Sequence, residues 1–196
     1  ELPLDSCLVL RVFQPMFRLQ TLHYQQCLVF LFQEVKRRGF NMIKVKYNDI
    51  HDTVQIGNNV SIECETIKIG KYSRIGNNVK IKCREIEIGE HFFMADGVEI
   101  GRGGCTGPNS NVKIGNGVGI FENTIINPSE PIEIGDNCGI GGDVMIWTHG
   151  AWLDVLQGFP SDFGPVRIGK NVWLPARSIV LPNVTIGNDV VIGINS

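Results

Sequence analysis

The feature that most constrains this chain is a ladder of aliphatic residues set six apart. It runs Ile56, Ile62, then Ile69, Ile75, Ile81, then Ile88, Met94, Ile100, then Ile114, Ile120, Ile126. It continues through Ile134, Ile140, Ile146, then Ile168, Leu174, Val180, and ends on Ile186 and Ile192. Sixteen of these nineteen positions are isoleucine and eleven are followed by glycine, so the period belongs to the fold and not to chance. A six-residue step is neither helical nor a plain two-residue alternation. It suits a very short strand and a tight bend, with the branched side chain pointing inward. Asn58-Asn59, Asn77-Asn78, Asn116-Gly117 and Asp136-Asn137 fall where the bends are expected, and these residue types tolerate turn backbone. A second small or apolar residue stands two places before many rungs: Val60, Ser73, Val79, Val98, Val118, Cys138, Val144 and Val172. Each step therefore fills two inward positions.

The interruptions carry as much information as the period. Between Ile62 and Ile69, and between Ile81 and Ile88, one residue is added. Eight are added between Ile100 and Ile114, two between Ile126 and Ile134, and sixteen between Ile146 and Ile168. Every addition follows the third step of a group of three. Two corners that close tightly and one that extrudes loops describe a three-sided coil. The expectation is an all-β parallel β-helix of triangular section with about seven coils, Ile50 opening the first. At roughly 4.8 Å per stacked strand the stack is on the order of 30 Å long.

The 196 residues suffice for one large domain, or one with an appendage. Net charge is −2, which gives no overall pull toward nucleic acid or an anionic membrane. Residues 1–47 do not follow the ladder and are expected to be a mainly helical N-terminal segment, with residues 48–196 the β-helix domain. Pro15 separates two short helices, and Lys36-Arg37-Arg38 before Gly39 reads as a helix end. The apolar run 27–35 is too short to span a bilayer. Covering the open first coil is the expected role of this segment; loose membrane association beside its basic residues and oligomer contacts are the alternatives. Cys7, Cys27, Cys64, Cys83, Cys105 and Cys138 form no C-x-x-C pair. Cys64 and Cys83 each lie two residues past a third-step isoleucine, so they should stack on adjacent coils as free thiols, with a disulfide or a metal as the other readings. No signal peptide is visible, which favours a reducing cytoplasm. The chain does not begin with methionine, which leaves a removed start open, and it stops in mid-coil, so the C-terminus is expected to be incomplete.

Charged residues such as Lys68, Lys71, Arg74, Lys80, Lys82, Arg84 and Glu85 read as solvated outward positions, and His91 as a surface turn residue. The glycine-rich stretch Arg102 to Val112 lacks the lysine spacing of a phosphate loop. Phe121-Glu122-Asn123 and Asn127-Pro128-Ser129-Glu130 are expected on or near the loop corner. The longest insertion, Trp147 to Val166, contains His149 three residues past Ile146, flanked by Trp147 and Trp152. Long loops on rigid frames are often functional. A histidine at the base of one is held by strands, and the tryptophans can wall off water.

Repeated aliphatic-Gly steps with loops at one corner resemble the hexapeptide-repeat acyltransferases. That resemblance implies a left-handed parallel β-helix; the usual crossover rule alone would give the opposite hand. Arg167-Ile168-Gly169-Lys170-Asn171-Val172-Trp173-Leu174, followed by Pro182-Asn183-Val184-Thr185-Ile186-Gly187, resembles the signature coil of the xenobiotic, maltose and galactoside acetyltransferases. The resemblance implies acetyl-CoA as co-substrate, no metal, His149 as general base, and Trp173, Ala176 and Ile194 as coenzyme-binding residues. Glu122, Asn123, Trp147 and Trp152, by their expected places at the loop corner and beside His149, are candidates for acceptor contact. The resemblance also implies a homotrimer with the site between neighbouring chains and, on family frequency, a saccharide or related acceptor, as in polysaccharide biosynthesis. Pro175 and Asn183 stand where the family has glycine, and the His149 loop is not of the His-Pro type.

Histidine suits the implied chemistry because its unperturbed pKa lies near neutrality. It would take the proton of a hydroxyl or amine as that group attacks the acetyl carbonyl, with backbone N–H groups at a coil corner serving the oxyanion. Asp143, Glu122 and Asp154 are candidates for fixing the imidazole tautomer. Two rivals are a γ-type carbonic anhydrase, which needs three zinc-binding histidines where only His149 stands at a loop base, and a non-enzymatic β-helix scaffold. An N-acetyltransferase of a nucleotide-linked amino sugar is the alternative within the chemistry.

Overall fold

The computed structural model describes residues 41–102, 105, 107–151 and 154–196. The expected N-terminal helices, Lys36-Arg37-Arg38 and Trp152 lie outside the described residues. Within them the protein is all-β apart from one 3-10 turn, Val155–Gln157. Parallel strands stack coil upon coil, the arrangement of the expected left-handed parallel β-helix.

The ladder resolves into three columns, one per face. The first face carries Ile43, Ile62, Ile81, Ile100, Ile126, Ile146 and Val180 in register. The second carries Ile50, Ile69, Ile88, Ile114, Ile134, Ile168 and Ile186. The third carries Ile56, Ile75, Met94, Ile120, Ile140 and Leu174, and the bridge from Trp173 to Val191 sets Ile192 above them. Sixteen of the nineteen rungs are buried, and the remaining three, Ile56, Ile186 and Ile192, are partly buried against the same core at its ends. All eight companion positions, from Val60 to Val172, are buried too. Full burial of each such side chain is worth about 1.5–3 kcal/mol, so the stacked columns are the main source of cohesion.

The β-helix begins earlier than the sequence reading placed it. Residues 42–47, assigned above to the mainly helical segment, belong to the strand Met42–Ile50, which pairs in parallel along Ser61–Ile69. Ile43 lies seven residues before Ile50 and opposite Ile62, so it is a further rung of the ladder, with the same one-residue addition found in the next two coils. That addition has a structural reason. Where the corner between the first and second faces has one extra residue, an extended strand bends around it without a left-handed residue, as Ser61–Ile69 does. This continuity joins the first two faces into one sheet, while the third face is a separate six-stranded sheet.

Six-residue corners are closed differently. The residue three past each second-face rung from Ile69 onward has positive φ, at Tyr72, His91, Gly117, Asn137, Asn171 and Asp189. The residue three past each third-face rung does the same at Asn59, Asn78, Gly97, Asn123, Asp143, Arg177 and Asn195. Asparagine and aspartate dominate because their short polar side chains tolerate this conformation. They and their neighbours also bond from coil to coil. Asn77 Oδ1 accepts from the Asn58 N–H at 2.9 Å, Asp96 Oδ1 from the Asn77 N–H at 2.7 Å, and Asp136 Oδ1 from the Asn116 N–H at 2.9 Å. Outward positions on the second face alternate in charge, and Lys68 Nζ stands 3.3 Å from Glu87. No helix among the described residues is long and apolar enough to cross a membrane.

Candidate functional site

The corner between the first and second faces carries all the long insertions, and His149 is fixed at its base. The first-face strand Met145–Trp147 runs directly into it. Thr148 is fully buried; its hydroxyl donates to the Asn127 carbonyl at 2.7 Å and accepts from the Glu130 N–H at 2.9 Å. Asn127 and Glu130, expected at this corner, are therefore part of its foundation. His149–Gly150 then pairs antiparallel with Asp162–Phe163, and the Gly164 N–H donates to the Thr148 carbonyl at 2.9 Å. The long loop is thus pinched at its neck by a two-stranded ribbon, and only its tip, with the turn Val155–Gln157, projects.

The imidazole of His149 lies against two aromatic rings. Phe163, directly opposite across the ribbon, stacks on it with centroids 5.5 Å apart and planes 17° apart. Trp147 meets it edge-on at 6.0 Å. Trp147 is thus where the sequence reading put it, while Phe163 was missed: fourteen residues separate it from His149 in the chain, and only the ribbon brings them together. The Nδ1 atom of His149 is buried and has no hydrogen-bond partner among the described residues. None of the three carboxylates considered for that role supplies one. Asp154 instead caps the 3-10 turn, accepting from the Leu156 N–H at 2.9 Å and from Gln157 Nε2 at 3.3 Å. Asp143 and Glu122 belong to a different corner.

That corner joins the third face to the first, and it corrects the placement of two acceptor candidates. Glu122 and Asn123 lie between Gly119–Ile120 and Ile125–Asn127, at a tight turn in which Asn123 has φ 57°. They are on the far side of the first face from the His149 loop. The reason is positional: they follow a third-face rung, Ile120, whereas the loops follow first-face rungs.

Trp173, Ala176 and Ile194 gather near this tight corner. The edge of the Trp173 ring fills the space beside Gly139, where a Cβ would come within 2.2 Å of two ring carbons. It is edge-on to Phe121 at 6.2 Å, and Phe121 is edge-on to Phe93 at 5.9 Å. Trp173 remains 41% exposed and Ile194 68% exposed. Coils stack here too, the Asn195 N–H donating to the Ala176 carbonyl at 3.4 Å. The result is an apolar strip on the third face and its edge.

His51 and His91 lie at the corner between the second and third faces, His91 stacked on Tyr72 at 5.2 Å. Neither is near the loop corner, and among the described residues no three His, Cys, Asp or Glu side chains are grouped to hold a metal ion. Cys64 and Cys83 do stack as free thiols on adjacent coils, their sulfurs 3.7 Å apart.

Residues 165–196, the coils that follow the His149 loop, match the family model described as bacterial transferase hexapeptide (six repeats). The chain is also 38% identical over 90 residues to a Saccharomyces cerevisiae protein named "Putative acetyltransferase", a match covering 44% of this chain and 45% of that one. It is 35% identical over 102 residues to "Nodulation protein L" of Rhizobium meliloti, covering 47% of this chain and 56% of the relative. The chain thus spans about half the length of the curated relatives it matches.

Proposed function

We propose that this protein is an acetyl-CoA-dependent acetyltransferase, moving an acetyl group to a hydroxyl or amine of a saccharide or related small acceptor, with His149 as general base. The observation that carries the reading is the His149 ring, held between Phe163 and Trp147 at the neck of the longest loop of a hexapeptide β-helix. The named acetyltransferase among its relatives supports the chemistry. In the reaction the imidazole accepts the acceptor's proton as its oxygen or nitrogen attacks the thioester carbonyl, and returns a proton to the departing thiol. Trp173, Ala176 and Ile194 form an apolar strip suited to the coenzyme's pantetheine arm, with Gly139 leaving room for the Trp173 ring. Trp147 and, beyond the described residues, Trp152 remain proposed acceptor contacts. Glu122 and Asn123 could serve an acceptor only at a neighbouring chain's site, given their corner.

The homotrimer belongs to the same reading. Trp173 and His149 lie on different parts of the coil perimeter, so a site using both is completed by a neighbouring copy. Cytoplasmic residence fits Cys64 and Cys83 as unbonded thiols at 3.7 Å. The test is turnover of acetyl-CoA with a panel of saccharide acceptors, reading released thiol. His149→Ala is expected to lower turnover by about two to four orders of magnitude with an unchanged melting temperature. Near-normal turnover in that variant removes His149 from the mechanism, and no acetyl-CoA binding by calorimetry removes the enzyme reading.

A further inference from the structure

A different part of the loop corner holds chemistry that acetyl transfer does not use. Cys64 and Cys83 each stand two residues past a first-face rung, and the register of Ile62 with Ile81 places them on consecutive coils. The coils stay paired through this point, the Cys83 N–H donating to the Glu63 carbonyl at 3.3 Å. Adjacent strands lie about 4.8 Å apart, within the roughly 4.4–6.8 Å between Cα atoms that a disulfide accepts. The two sulfurs, 3.7 Å apart, already face each other. The two side chains are buried, 8% and 5% exposed, yet a cavity of about 290 Å³ opens over them, lined also by Glu63, Glu65, Lys82, Arg84 and Cys105. The hydrogen bond between the two sulfurs draws the Cys64 thiol below its ordinary range, while that same bond and burial hold the Cys83 thiol well above it. As a hydrogen-bonded pair the two thiols ease the loss of a first proton and oppose the loss of a second.

We propose that Cys64 and Cys83 form an oxidisable dithiol that closes, by exchange with a small-molecule disulfide, into a disulfide between two consecutive coils. The Cys64 thiolate attacks one sulfur of the small disulfide, forming a mixed disulfide and expelling one small thiolate. The Cys83 thiol then loses its proton to solvent and attacks the Cys64 sulfur, expelling the second small thiolate. Two protein thiols are oxidised and one small disulfide is reduced to two thiols. The product ties adjacent coils at the loop corner and depends in no way on the acetyl-transfer reading.

The test treats the reduced full chain with oxidised glutathione, followed by alkylation, intact mass and peptide mapping, with Cys105→Ser in parallel. The expected product takes up two fewer alkyl groups than the reduced protein, links the Cys64 and Cys83 peptides, forms equally in Cys105→Ser, and reverts with dithiothreitol. Its melting temperature should rise above that of the reduced form. A link that includes Cys105, a glutathione adduct that persists without closure, or Cys64 and Cys83 remaining alkylatable after treatment would overturn the proposal.

Discussion

Phe163→Ala isolates what the neck of the His149 loop contributes. The substitution removes the ring stacked on the imidazole at 5.5 Å but leaves the ribbon's backbone pairing intact, including the Gly164 N–H to Thr148 bond. A stacked aromatic pair is worth about 0.5–1.5 kcal/mol beyond its buried area. At 1.36 kcal/mol per tenfold in rate this corresponds to about a 2- to 12-fold loss of kcat. Phe163 is 52% exposed, which favours the lower half of that range. The imidazole would remain at the site, held by Trp147 alone, so the loss should be far shallower than that of His149→Ala. KM for acetyl-CoA should not change, because Phe163 stacks on the imidazole and is not among the residues proposed to hold the coenzyme. Phe163→Tyr, which restores the ring, should restore kcat. Steady-state kinetics on the three variants decides the matter. A change confined to KM, an unchanged kcat, or a loss as deep as that of His149→Ala would refute the positioning role.

Other predictions concern the corners. Gly101 has φ 101°, and a Cβ there would stand 1.7 Å from the Lys82 carbonyl oxygen, so backbone must move; Gly101→Ala should cost about 3 kcal/mol or more, roughly 6–12 °C in melting temperature. Gly187, with no neighbour within 4 Å of its would-be Cβ, is the control, and Gly187→Ala should leave the melting temperature unchanged or slightly raised. Asp96 is held below the usual carboxylate range by the side chain and backbone N–H of Asn77, and Asp136 by Lys170 and the Asn116 N–H. A depressed carboxylate contributes stability that is fully present above its unfolded pKa, near 4, and is lost as pH falls through the folded value. Thermal melts should therefore drop more steeply below about pH 4 in wild type than in Asp96→Asn, and equal slopes would remove Asp96 from the acid response.

The fold was legible because burial acts on every coil alike. An inward rung must be aliphatic, and a corner three residues later must accept positive φ, so both requirements repeat and the repetition can be counted. Ile43 escaped only because it begins the stack, where a single rung precedes the first regular pair. Phe163 escaped for a different reason. Its role comes from an antiparallel ribbon that occurs once, in a loop, and nothing periodic announces it. Glu122 and Asn123 were readable but misplaced. Their distance from Ile120, a third-face rung, assigns them to the tight corner, and the same counting assigns His149, three past Ile146, to the loop corner.

That counting bears on how the site is assembled. Trp173 precedes a third-face rung, and His149 follows a first-face rung by three residues, so around the coil a face intervenes between them in either direction. If acetyl transfer uses both, they come from different copies, and the defect is separable by subunit. Mixtures of His149→Ala and Trp173→Ala chains, unfolded together and refolded, test this directly. In a randomly mixed cyclic trimer each site draws one side chain from each of two neighbours, so about a quarter of sites would pair an intact histidine with an intact tryptophan. The mixture should recover roughly that fraction of wild-type turnover, well above either impaired parent. Activity no greater than the average of the parents would mean that the two residues do not serve a common site across an interface.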